Sequence, residues 1–127
     1  MAVKKNQRAT LADLLSKPAR TKEVSIETQN GHNLTILFKS IGSKTYDDLV
    51  GEHKPTKDQL KEGSSWNPET FPPALIAACS KDPTISLEEA TALWQSEDWS
   101  RGELMDIFVA VVKLNSEGLD IPFIEKD

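Results

Sequence analysis

The chain holds a single cysteine, Cys79, among 127 residues, so no internal disulfide can form. Its two histidines, His32 and His53, lie at no metal-ligand spacing from that cysteine or from each other. No glycine-rich loop joins an expected strand to an expected helix, and no Ser/His/Asp arrangement has supporting context. Long hydrophobic runs are also missing. A stretch such as Ala74 to Cys79 is far too short to cross a bilayer, and Met1 to Arg20 has no uninterrupted apolar segment of the kind a signal peptide uses. These absences lead to the expectation of a single-domain, soluble protein of a reducing cytoplasm, not an enzyme, with no cofactor, no metal and no membrane contact.

Charge is unevenly spread. Residues 1 to 22 carry six cations (Lys4, Lys5, Arg8, Lys17, Arg20 and Lys22) against Asp13 alone, which is +5, so the rest must carry −10 to reach the net −5. An acidic body lacks the basic face with which a protein displaces counterions from nucleic acid, so no nucleic-acid partner is expected. Residues 1–9 read as a flexible basic arm, 10–118 as the domain and 119–127 as a flexible tail.

Local patterns place the elements. "TLADLLSKP" is a short amphipathic helix with Thr10 as N-cap, Asp13 at the third helical position and Pro18 as the stop. Val24, Ile26 and Thr28 alternate with polar residues, as do Leu34, Ile36 and Phe38, and Asn30-Gly31 between them accepts the positive φ of a tight turn. The pattern predicts a β-hairpin with His32 in its turn. "SKTYDDLVGEHKP" predicts a helix capped by Ser43 and ended by Pro55. Pro55 to Asn67 reads as a loop with a helical turn at Lys57 to Lys61, pinned by Trp66 and Phe71. "PPALIAACS" has prolines in a helical first turn, and the pairs Ser86 with Glu89 and Ser100 with Glu103 are capping boxes ahead of two further helices, the last closed by Gly118. The sum is an α+β fold, predominantly helical, with an N-terminal hairpin packed against about four to five short helices.

The last helix is unusually apolar. Leu104, Ile107, Phe108, Val111 and Leu114 form one stripe, and Met105, Val109 and Val112 widen it to an arc of roughly 220°, about twice what an ordinary surface helix needs. Trp94 and Trp99 stand at the corner before it, and tryptophan serves both cores and interface hot spots. The expected partner-binding surface is therefore Trp99, Leu104, Ile107, Phe108, Val111 and Val112.

The order of these landmarks resembles the tail assembly chaperones of long-tailed, non-contractile bacteriophages, especially those of actinobacteria. The resemblance is carried by "VSIETQNGHNLTILFKSIGSKTYDDLV", "EHKPTKDQ", "WNPETFPPALIAACSKDPTISLEEATALW" and "WSRGELMDIFVAVVKLN", and covers residues 10 to about 115. It implies a non-enzymatic factor of the host cell cytoplasm that binds the tape measure protein, helps recruit the major tail (tube) protein, and is absent from the mature virion. It also implies a programmed frameshift giving a longer form, of which this chain is similar to the short product. Self-association into a homo-oligomer fits the same picture. The alternative is a minor structural tail protein or small adaptor retained in the particle.

If the apolar arc is a binding surface, Phe108→Asp should weaken partner binding and leave a folded protein; unfolding of the variant, measured by circular dichroism, assigns that face to the core.

Overall fold

The computed structural model describes residues 8–27, 31 and 33–117. The 1–7 part of the basic arm, the turn residues Asn30 and His32, the capping position Gly118 and the 119–127 tail lie outside them. Among the described residues the order is α1 (Leu11–Leu15), β1 (Thr21–Glu27), β2 (Asn33–Lys39), α2 (Ser43–Glu52), α3 (Lys57–Lys61), α4 (Phe71–Cys79), β3 (Ser80–Asp82), α5 (Leu87–Trp94) and α6 (Arg101–Ser116). The fold is α+β and mainly helical, as expected. It has one strand more than the hairpin, since β3 completes an antiparallel sheet of order β1-β2-β3.

In β1 and β2 alternation decides which side is covered. Val24 faces Ile36, Ile26 faces Leu34 and Lys22 faces Phe38, so these six share one face of the sheet, while Thr21, Glu23, Ser25 and Glu27 stand on the other. The apolar face turns towards α6, and Phe38 at its end is fully buried. Gly31, between the strands, has φ +75, which glycine adopts without the steric cost a Cβ would add.

Helix α4 is the centre of the fold. Pro72 and Pro73 occupy its first turn, where a missing N–H leaves one donor fewer to satisfy, and seven of its residues are buried, from Phe71 to Ile76 and again at Cys79. It contacts α2, α5 and α6, then runs straight into β3, where Ser80 pairs with Phe38 and Asp82 with Leu37 across a bulge. The Ser80 hydroxyl, buried at this junction, donates to Ala77 O at 2.9 Å and accepts from Ile85 N at 2.8 Å, so α4 and the approach to α5 close over a satisfied polar group.

Capping fixes the helix starts. Ser100 Oγ accepts from Glu103 N at 3.1 Å while Glu103 Oε1 accepts from Ser100 N at 2.9 Å, and Ser86 with Glu89 repeats the arrangement. Thr10 with Asp13 and Thr56 with Gln59 form two more such boxes. One expected cap is corrected: α2 starts from Gly42, and Ser43 is already its first helical residue. Helix α1 buries nothing: Leu11, Leu14 and Leu15 are 71, 65 and 78% exposed.

Asn115 ties three elements together. Its Oδ1 accepts from Ile41 N at 2.9 Å, and its Nδ2 donates to Val111 O at 2.8 Å and lies 3.4 Å from the Cys79 sulfur. Burial pushes the Cys79 thiol above its ordinary pKa, which the Asn115 contact only partly offsets. The thiol is thus protonated and shielded, a packing group rather than a nucleophile.

Backbone and side-chain hydrogen bonds from Ser100 and Ser86 hold the Glu103 and Glu89 carboxyls below the ordinary carboxylate range. Their contribution to stability is complete above the unfolded carboxyl pKa and is lost as pH falls through the depressed folded values. Glu103→Gln keeps an acceptor for the cap without the titrating charge, so acid unfolding followed by circular dichroism should be shallower than in the parent over that interval.

Candidate protein-binding site

The structure divides the expected binding surface in two. Leu104, Ile107, Phe108 and Val111 are buried inside the domain, together with Leu114, and are core. The physical reason is the packing of α6 against α4 on one side and the hairpin on the other, which covers the whole stripe at once. Phe108 sits among Trp66, Phe71 and Trp94, with ring centroids at 6.0, 6.1 and 6.1 Å, all three contacts edge-to-face. Val112 is half-buried and packs against the same core. Met105 and Val109, which widened the apolar arc, reach solvent.

The two corner tryptophans have separate roles. Trp94 is in the core, with the Arg101 guanidinium 4.7 Å from its ring centroid. Trp99 is half-buried and lines a groove that no expected element fills. The groove lies between the hairpin and the α5–α6 corner, has a volume of about 370 Å³, and is walled by Ile26, Leu34, Ile36, Pro83, Leu93 and Trp99 with Ile107 among them. Leu34 is 52% exposed. Next to the groove, and sharing Ile26 and Ile107 with it, is a cleft of about 230 Å³ whose α6 wall carries Glu103 and Asp106. The Glu103 carboxyl, held below its ordinary pKa by Ser100, stays charged at neutral pH. An apolar trough therefore opens into an acidic mouth.

A larger cleft of about 540 Å³ lies where Arg20 and Lys22 approach Lys113, but Asp106 and Glu117 line it too, and Arg20 Nη1 already donates to Glu117 O at 2.7 Å. The structure also joins His53 to Thr70, Nδ1 to Oγ1 at 2.9 Å, a pair 17 positions apart that sequence spacing does not suggest. Asn67 N donates to His53 O at 2.8 Å beside it, so the pair latches the end of α2 to the start of α4. Among the described residues no carboxylate hydrogen-bonds this imidazole. Among the same residues there is no cluster of three or more potential metal-ligating side chains, and no helix is long and apolar enough to cross a membrane.

Comparison with protein-family models, with curated proteins and with solved structures found no match to this chain. The groove's walls come from residues 26, 34, 36, 83, 93 and 99, which are dispersed in the sequence and carry no local motif. Of the expected partner residues, Trp99 and the buried Ile107 lie on it.

Two substitutions separate core from groove. Phe108→Asp buries a carboxylate among aromatic rings and should cost about 5 kcal/mol or more, enough to unfold a domain of ordinary stability. Leu34→Lys, at an exposed strand position, should cost no more than about 1 kcal/mol, with both values read from denaturant unfolding.

Proposed function

We propose that the protein is a non-enzymatic phage tail assembly chaperone that binds the tape measure protein and helps recruit the major tail tube protein. The observation that carries this reading is the unfilled apolar groove bordered by Trp99 and Leu34, set in an acidic body. A helical partner with an apolar stripe is aggregation-prone alone, and a groove of this kind covers such a stripe by taking side chains spaced one helical turn apart. The negative charge outside the basic arm keeps the resulting complex soluble. The sequence resemblance to tail assembly chaperones supports the same reading, and extends it to the host cytoplasm as the working compartment, to a frameshifted longer form as a further partner, and to absence from the finished particle.

Binding here uses the groove rather than the stripe of α6. Co-expression with the tape measure protein should raise the soluble yield of that protein severalfold, and Leu34→Lys or Trp99→Ala should abolish the gain while the chaperone itself stays folded. An unchanged yield with the parent chain defeats the proposal. Detection of the chain by mass spectrometry in purified mature virions would favour a minor structural tail protein instead.

A further inference from the structure

We infer that the groove of one copy is occupied by helix α1 of a second copy, so that the protein associates head to tail. Leu11, Leu14 and Leu15 lie at the i, i+3, i+4 spacing of one helix face, and that face is uncovered in the single chain. The same chain carries a groove of matching character, walled by Ile26, Leu34 and Trp99 and unfilled.

Charge gives the pairing its direction. Helix α1 sits in the +5 segment between Arg8 and Lys17, and its one acid, Asp13, is engaged locally by accepting from Thr10 N at 3.0 Å. The groove opens into the cleft whose α6 wall carries Glu103 and Asp106. A leucine face flanked by cations thus meets an apolar trough flanked by carboxylates.

Within one chain α1 does not take the groove: none of its residues lines it, and its leucines stay exposed. Arg20 continues the strand pairing, with Ser40 N donating to Arg20 O at 2.7 Å and Arg20 N donating to Ser40 Oγ at 3.1 Å, so the chain leaves the hairpin at the end remote from Ile26. A second copy presents the same leucine face from any direction.

One short helix covers less than the ~1,200 Å² buried by the smaller stable complexes, so the association is weak and concentration-dependent. Because donor helix and acceptor groove are different surfaces, the contact is heterologous and propagates into rings or open chains. The inference shares its groove with the chaperone reading, so α1 and a partner helix compete for one site, but self-association is measured on the protein alone.

The test is sedimentation of the full chain, without any partner, over roughly 10 µM to 1 mM, the range in which so small an interface half-saturates. The parent should rise in weight-average mass with concentration, and more so at low salt. The double variant Leu11→Ser/Leu14→Ser and the single variant Leu34→Lys should each remain monomeric; α1 buries nothing and Leu34 is largely exposed, so both keep the fold. Mixed together, the first still has a groove and the second still has a helix, and they should form a 1:1 heterodimer that goes no further. A parent that stays monomeric, variants that associate like the parent, a mixture that stays monomeric, or an association indifferent to salt each overturns the inference. Loss of tape measure solubilisation with intact self-association would defeat the chaperone proposal and leave this one standing.

Discussion

Helix α4 cannot face water on any side for most of its length, and that constraint organises the rest of the molecule. Phe71, Leu75, Ile76 and Cys79 require cover from several directions, and α2, α5 and α6 supply it while β3 leads its C-terminal end into the sheet. The aromatic cluster follows from the same requirement. Phe71 sits 6.0 Å from Tyr46 and 4.9 Å from Trp66, so residues of α2 and of the loop before α4 converge on its first turn. Burial raises the Tyr46 phenol above its ordinary pKa, although a hydrogen bond to Ser116 opposes the shift, and the ring therefore enters the cluster neutral.

Covering α4 determines what α6 has to spare. Five side chains of α6 are committed to the core, and burial of a large aliphatic or aromatic side chain stabilises by about 1.5–3 kcal/mol. Together they are comparable with the whole net stability of a domain of this size, so the stripe is structural before it is anything else. The hairpin covers Ile107 but does not seal against the α5–α6 corner, and the seam between them is the groove. Among the described residues the most exposed large hydrophobics are the α1 leucines, with Leu60, Leu87 and Leu34 next, while α6 exposes only Met105 and Val109 of its large hydrophobics.

What the sequence revealed tracks the range of the interactions involved. Capping boxes at Ser86 and Ser100 are legible because donor and acceptor lie three residues apart, and the hairpin because alternation and Asn-Gly are local signals. Strand β3 was not legible: three residues, Ser80, Lys81 and Asp82, have no period of their own and become a strand only because α4 delivers them to the edge of β2. The apolar arc on α6 is legible as a sequence pattern, but its Leu104, Ile107, Phe108, Val111 and Leu114 stripe is core, and only Met105 and Val109 of the arc are exposed. Periodicity counts apolar positions, but which neighbours cover them is set by α4 and the hairpin, far away along the chain. The groove is illegible for the same reason: of its walls only Trp99, marked by residue type, and Ile107, marked by the α6 stripe, stand out in the sequence as partner residues.

The position of α6 after every element it covers has a consequence for biosynthesis. Once α4 has been made, its apolar sides wait for Leu104 to Leu114 to arrive, and Asn115 joins Ile41 to the Cys79 sulfur only after that. At translation speeds of ~5–20 residues per second, the nascent chain holds an uncovered greasy helix for a few seconds on the ribosome. Loss of the stretch that encodes α6 would leave a hairpin and a naked α4 that the cell's quality control would meet as an unfolded polypeptide.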